Sequence, residues 1–379
     1  MSSNTTDTVL RIPVREDLAG LTPYGAPQLD VPVRLNVNEN PYAPSQVVID
    51  DIATSVARAA ATLNRYPDRD FPALRRALAD YLAVESHVTI DPASIWAANG
   101  SNEVMTQILQ AFGGPGRTVV SFAPTYSMYH EYARDTNTRW VQGPRNDDFS
   151  LDLDAVARTL EDECPAVLIL ASPNNPTGTS LPPAHQARIL DMTRASGPVI
   201  NGEPTATLVV IDEAYGEFRR EGVPSALEML ADNPHLVVSR TMSKAFGMAG
   251  LRLGYMAAAR DIIDAIMLVR LPYHLSAVTQ AAALAALRHR DELMSQVASL
   301  RAERDALVEW LREQGFDALD SDSNFVLFGR FDDRDRVFRD LLDRGVLIRV
   351  VGPDGWLRVS VGTPQETQAF TTALKEITA

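Results

Sequence analysis

The chain has 379 residues, 45% of them hydrophobic and 22% charged, which suits a soluble globular protein with one large domain and a smaller one. A formal net charge of −14 argues against nucleic acid or an anionic membrane surface as partner. The single cysteine, Cys164, permits no disulfide within the chain and suits a reducing cytoplasm.

The chain opens with Met1-Ser-Ser-Asn-Thr-Thr-Asp-Thr8, which has neither the basic start nor the apolar stretch of a signal peptide. No apolar run approaches the ~18 residues of a membrane span. Residues 1–40 are irregular and proline-rich, with Pro13, Pro23, Pro27 and Pro32, and read as an arm that packs on something else. Helical spacing of apolar residues predicts helices over 47–63 and 71–84. From there the chain alternates. Helices are predicted over 101–112, 125–135, 153–160 and 183–194, and strands over 118–122, 138–141, 166–171, 208–211, 236–239 and 251–256. Short, almost wholly apolar strands separated by helices describe an α/β fold with a mostly parallel central sheet covered on both faces. Gly113-Gly-Pro-Gly116 lacks the Lys-Ser/Thr of a phosphate loop and reads as a turn before a strand. The last third carries helices over 262–270, 278–288, 293–314, 334–344 and 365–377, with strands over 324–328, 346–350 and 356–361. That is a small α+β domain, reached through a helix crossing near 260–275. The six histidines are scattered without ligand spacing, and no metal site is read.

Ligands of open α/β sheets bind at the carboxyl ends of strands, and four predicted strand ends carry pointed chemistry. Asp212 and Tyr215 stand in Val210-Ile-Asp-Glu-Ala-Tyr215. Lys244 stands in Thr241-Met-Ser-Lys-Ala-Phe-Gly247, Asn175 in Ser172-Pro-Asn-Asn-Pro-Thr-Gly178, and Tyr126 in Pro124-Thr-Tyr126. An amine and a carboxylate so placed are what pyridoxal 5'-phosphate requires: the amine makes a Schiff base with the aldehyde, and the carboxylate keeps the ring nitrogen protonated. Lys244 by itself is also compatible with a surface lysine, and Asp212 with a helix cap. Ser243 and Arg252, around Lys244, make a clamp for a dianion. Tyr215 and Asn175 suit a ring hydroxyl. Ser101 and Asn102, at the start of a helix, offer free N–H groups to a phosphate, or simply cap that helix. Tyr126 fits ring stacking or a core position equally. Arg358 and Arg349 alternate with apolar neighbours on predicted strands, and an inward arginine calls for an anion such as a substrate carboxylate.

These segments, together with Asn38-Glu-Asn-Pro41, Arg65-Tyr-Pro-Asp68, Asn99-Gly-Ser-Asn-Glu103 and Gly250-Leu-Arg-Leu-Gly254, resemble those of the fold type I pyridoxal-phosphate-dependent aminotransferases. The resemblance runs from about residue 15 to the end. Pro23-Tyr-Gly-Ala-Pro-Gln-Leu-Asp30, Ile95-Trp-Ala-Ala-Asn-Gly100 and Leu268-Val-Arg-Leu-Pro-Tyr-His-Leu-Ser276 are similar to the histidinol-phosphate branch, of actinobacterial type. The resemblance implies an arm (1–40) packing with the small domain, a large cofactor-binding domain (41–265) and a small C-terminal domain (266–379). Lys244 would be the Schiff-base lysine and proton shuttle, Asp212 the partner of the ring nitrogen, Tyr215 and Asn175 the partners of the ring hydroxyl, and Tyr126 the stacking ring. Ser101, Asn102, Thr241, Ser243 and Arg252 would hold the phosphate. Tyr66 would reach the cofactor phosphate of the neighbouring subunit of a homodimer. Arg358 would bind the carboxylate of glutamate or 2-oxoglutarate. Tyr24 and Arg349 would bind the phosphate of histidinol phosphate, and Arg349 also the distal carboxylate of glutamate.

The implied reaction is a ping-pong amino transfer between glutamate and imidazole-acetol phosphate, within histidine biosynthesis. An aromatic amino-acid aminotransferase and a phosphothreonine decarboxylase are the rival readings on this scaffold. A pyridoxal-binding regulator would need a DNA-binding module for which the acidic chain has no room. Two features depart from the branch. Val350 stands where an aspartate often follows the Ile-Arg pair, which loosens the orientation of Arg349. Residues 196–207 are longer and more polar than usual and are expected to form a surface loop without a catalytic role.

Overall fold

Seven strands form the central sheet of the computed structural model, which describes residues 12–378. The first eleven residues, including the segment tested above for a signal peptide and the start of the arm, lie outside the described residues. Before the sheet come β1 (Val33–Arg34), α1 (Gln46–Ala60) and α2 (Pro72–Glu85). The sheet strands and their intervening helices follow: β2 (Ile95–Ala98), α3 (Ser101–Phe112), β3 (Thr118–Ala123), α4 (Met128–Asp135), β4 (Arg139–Pro144), α5 (Leu153–Glu163), β5 (Val167–Ala171), α6 (Pro183–Met192), β6 (Leu208–Asp212), β7 (Leu236–Thr241) and β8 (Gly254–Ala258). Their order across the sheet is β2-β8-β7-β6-β5-β3-β4. All neighbours run parallel except β8, which is antiparallel to β2 and β7. Residues of β2, β5, β6, β7 and β8 are buried throughout. Helices on both faces force that, and the apolar sequences of these strands satisfy it.

The remaining elements are α7 (Arg260–Val269), α8 (Ala277–Arg288), α9 (Arg290–Glu313), β9 (Asp317–Ala318), β10 (Phe325–Gly329), α10 (Arg334–Asp343), β11 (Val346–Leu347), β12 (Leu357–Ser360) and α11 (Pro364–Thr378). Strands β12-β10-β9 form an antiparallel sheet, and β1 pairs in parallel with β11. Leu35, next to β1, shares a core with Leu307, Leu311, Val326, Phe328, Leu357 and Phe370. The buried residues of α7 belong to the large core instead. The 24-residue α9 is the helix that joins the cores, with Leu293 in the large one, Val297 and Leu300 in a small cluster with Tyr215, and Leu307 to Leu311 in the C-terminal one.

Several boundaries differ from the sequence reading. The helix expected from 125 begins at Met128, because residues 124–127 form the loop after β3. The strand expected over 251–256 starts at Gly254, because Arg252 sits at φ +59°, in the left-handed region that a strand cannot accept. The strand expected over 346–350 stops at Leu347, and Arg349 forms only an isolated bridge to Arg358. β1, β2 and β9 are additional strands, too short for alternation to reveal. Residues 196–207 form turns with one isolated bridge, Ile200 to Glu203, and Val199 is exposed.

Gly254 fixes how the sheet meets α3. A Cβ there would lie 2.1 Å from the backbone nitrogen of Ser101. Replacing Gly254 with alanine should therefore push α3 off β8 and lower stability by about 1–3 kcal/mol, the usual cost of overpacking, measurable by urea unfolding.

Candidate active site

One cavity opens at the carboxyl ends of the parallel strands, where loops diverge and backbone groups are free. It is lined by Ser101 and Asn102 from the start of α3, Tyr126 after β3, Asn175 after β5, Asp212 and Tyr215 after β6, and Thr241, Ser243, Lys244 and Arg252 between β7 and β8. Tyr24 from the arm and Arg349 and Arg358 from the C-terminal part complete the wall. Of the residues singled out from sequence, only Tyr66 lies elsewhere. It is 80% exposed and stacks on Tyr273 with ring centroids 4.5 Å apart.

Asp212 is buried at the end of β6. Its Oδ2 accepts a hydrogen bond from the Tyr129 hydroxyl at 2.8 Å, and its Oδ1 one from the Ala214 amide at 3.2 Å. Burial pushes the carboxyl up to about 6, and the Tyr129 bond acts in the opposite sense. A cation placed against it would be well received. Tyr129 was not anticipated. It follows Tyr126 on the buried side of α4, where a helical pattern reads it as core, and its ring meets Tyr126 edge-on at 5.5 Å.

The Lys244 amine donates to the Val37 carbonyl at 2.9 Å and lies 5.8 Å from the centre of the Tyr215 ring. Burial, and secondly the Arg358 cation, bring it down to about 8. A lysine in this range is partly neutral near physiological pH and therefore nucleophilic. The Tyr215 hydroxyl accepts from the Asn38 amide at 2.9 Å and from that of Asn175 at 3.4 Å. Burial holds the Tyr215 phenol above its ordinary range. Asn38 is a second residue not singled out, although it heads the Asn38-Glu-Asn-Pro41 motif.

Arg358 is buried, and burial brings it down to about 10. It donates to Asn175 Oδ1 at 2.6 Å and to the Asn36 carbonyl at 2.8 Å, and its Nε has no partner among the described residues. Paired backbone bonds of 3.0 Å join residues 349 and 358, and both side chains face the cavity. Two guanidinium groups on one wall make a site for anions. Val350 packs on the C-terminal core. On the opposite wall, the first turn of α3 presents amides, and Gly100 stands at φ +88° with its would-be Cβ 2.7 Å from Arg252 Nη2. Ser127 donates to the Tyr24 hydroxyl at 3.2 Å.

The pattern of the family described as aminotransferase class I and II matches residues 31–374. The chain belongs to this family. Among curated relatives, it is 58% identical to the histidinol-phosphate aminotransferase of Thermobifida fusca over 96% of this chain and 95% of that one. It is 56% identical to the corresponding enzyme of Bifidobacterium longum over 97% and 96%. Among solved structures, histidinol-phosphate aminotransferase from Sinorhizobium meliloti in complex with pyridoxal-5'-phosphate superposes with a TM-score of 0.76 at 27% identity, covering 92% of this chain and 91% of that one. The aminotransferase fold expected from sequence is thereby established, and strands of the family's sheet deliver the cavity's residues. No helix among the described residues is long and apolar enough to cross a membrane.

Lys244 and Lys375 are the two lysines of the chain, and Lys375 is exposed on α11. Competitive acylation across a pH series, read by peptide mass spectrometry with Lys375 as reference, should show Lys244 of the cofactor-free protein titrating near 8. A midpoint near 10 would contradict the desolvation described above.

Proposed function

We propose that this protein is a pyridoxal-phosphate-dependent aminotransferase that interconverts histidinol phosphate and 2-oxoglutarate with imidazole-acetol phosphate and glutamate. The observation that carries the reading is one cavity that brings together the Lys244 amine, lowered to about 8 by desolvation, the buried Asp212 carboxyl, raised to about 6, and the guanidinium groups of Arg349 and Arg358, in a chain whose relatives at 51–58% identity bear that enzyme's name. The rival aminotransferase and decarboxylase readings find no such support.

The residues fit the cofactor. Asp212 supplies the buried anion that a protonated ring nitrogen requires, Tyr215 and Asn175 supply polar groups for the ring hydroxyl, and Tyr126 supplies an aromatic face. The amides of Ser101 and Asn102, with Thr241, Ser243 and Arg252, form the phosphate cradle, and Gly254 and Gly100 leave room for it to be closely built. When bound, the cofactor supplies an aldehyde for the amine and a ring that accepts the electron pair released when the substrate Cα–H bond breaks. Lys244, as the one amine lining the cavity, would take the proton from the substrate Cα and return it on the other side of the transferred nitrogen. Asp212 keeps the ring nitrogen charged throughout. Arg358 holds the carboxylate of glutamate or 2-oxoglutarate. Arg349 and Tyr24 hold the phosphate of histidinol phosphate, and Arg349 serves the distal carboxylate of glutamate in turn, so one anion pocket serves both half-reactions.

The protein acts as a homodimer in this reading. Tyr66 and Tyr273 form an exposed aromatic stack, and Leu63, Leu268 and Leu271 are 56%, 87% and 72% exposed. Exposed apolar side chains of this kind suit burial against a second copy, and Tyr66 would then reach the neighbouring cofactor phosphate.

Lys244→Ala should abolish turnover and the visible absorbance of the purified protein. Arg349→Ala should keep that absorbance and raise KM for glutamate and histidinol phosphate alike by roughly tenfold or more, the scale of one lost hydrogen bond to a charged group; unchanged KM for both would remove Arg349 from the site. Mixing inactive Lys244→Ala subunits with impaired Tyr66→Phe subunits should restore activity above either parent, since one site of each hybrid is intact. No recovery among hybrids verified by mass spectrometry would place Tyr66 outside the shared site.

A further inference from the structure

Directly beneath the cavity lies a cluster of buried charges that the reaction above does not use. Arg240, on β7, is fully buried. Its guanidinium donates to Glu213 at 2.8 Å, to Glu217 at 3.1 Å, to Glu85 at 3.1 Å and to the hydroxyls of Ser86 and Ser225 at 3.2 and 3.1 Å. Glu213 also accepts from Arg219 at 3.1 Å, from the Ser225 hydroxyl at 2.7 Å and from the Ala226 amide at 2.7 Å. Every one of these contacts joins segments distant in sequence or closes the loop between β6 and β7.

The position of the cluster follows from strand geometry. Side chains alternate along an extended chain. On β7, Thr241 faces the cavity, and Arg240 beside it faces away. At the end of β6, Asp212 faces the cavity, and Glu213 beside it faces away. The Arg240–Glu213 pair therefore links the backbone next to Asp212 with the backbone next to Thr241, one residue behind each. The Glu213 amide adds a bond to the Ser239 carbonyl at 2.8 Å, carrying the β6–β7 ladder one step beyond β6. Gly216 tightens the arrangement, since a Cβ there would lie 2.8 Å from Arg240 Cζ. The segment bearing Asp212 and Tyr215 thus rests flush on the guanidinium.

We propose that Arg240 is a positioning residue, whose guanidinium, held between Glu213 and Glu217 and packed under Gly216, sets the spacing between the Asp212–Tyr215 loop and the Thr241–Lys244 loop and thereby governs cofactor retention and turnover without touching cofactor or substrate. This rests on the function proposed above. A planar fork is suited to the task, because it bonds several carboxylates at once in fixed directions, and lysine cannot reproduce that geometry. Substrate anions are held by Arg349 and Arg358, which belong to the C-terminal part and to neither of the two loops that Arg240 spaces, and Arg358 meets the first of them only through Asn175.

The test compares wild type with Arg240→Lys and Gly216→Ala; the second retains every charge and sets a methyl group 2.8 Å from Arg240 Cζ, so that the guanidinium and the loop must move apart. Dissociation of pyridoxal phosphate on dialysis, kcat, KM for glutamate and the Tm of the cofactor-free protein are measured for each. Expected are a weaker hold on the cofactor and a lower kcat, each on the order of tenfold or more, as for a misplacement remote from the chemistry, with KM for glutamate within about twofold of wild type. If Arg240→Lys does not fold, Gly216→Ala is read by the same criteria. A lowered Tm with cofactor affinity and kcat unchanged would reduce the cluster to structural support and overturn the proposal, as would a rise in KM with kcat unchanged. Wild-type protein lacking bound cofactor and transaminase activity would instead defeat the functional reading itself, so the two failures are distinct.

Discussion

A carboxylate inside a protein is costly to ionise, and the whole site is organised around making that cost useful. Asp212, raised to about 6, holds its proton more tightly in the folded chain than in the unfolded one. Folding is therefore not penalised by this group at low pH, and the penalty grows as pH rises from about 4 to about 6. It reaches on the order of 3 kcal/mol above that range. A permanent positive charge against Asp212 removes the penalty. A carboxylate buried in this way favours a cationic partner, and the energy spent on burying it returns as affinity for the group that pairs with it.

The second constraint is the mirror image of the first. Lys244 and Arg358 are cations brought below their ordinary values by burial. Lys244 gains reactivity from this; Arg358, with an unpartnered Nε, gains appetite for an anion. A run of hydrogen bonds from Asn38 through Tyr215 and Asn175 reaches Arg358. The central sheet supplies the acid and the amine, and the C-terminal sheet supplies the arginines. Helix α9 contributes to the cores of both, so the anion-binding wall is carried by a continuous helix rather than by a flexible tether.

Much of this was legible in the sequence because the chemistry falls where strands end, and apolar strands of four to six residues followed by polar loops are conspicuous. Asp212, Tyr215, Asn175 and Lys244 were found that way. Tyr129 escaped because a tyrosine on the buried stripe of a helix has the same periodicity whether it packs or donates a hydrogen bond. Asn38 and Asn36 escaped because they lie in an arm whose partners are more than 300 residues away, such as Ser360 and Arg358, and no local pattern encodes such a contact. The Arg240 cluster escaped for a related reason: its members are single charges in unrelated segments, and only folding brings Glu85, Glu213, Glu217 and Arg240 within reach of one another. Strand β8 was placed a few residues early because the left-handed backbone at Arg252 is not signalled by a glycine.

The scarcity of lysine has a practical corollary. Of 35 basic residues, two are lysines and the other 33 arginines, and guanidinium groups are inert to the esters and anhydrides used to couple proteins to supports. With Lys244 engaged in its cavity, coupling chemistry aimed at primary amines has only Lys375 and the chain's own α-amino group to find. Lys375 lies on α11 in the C-terminal part, so every molecule coupled through that side chain would be held by the same face.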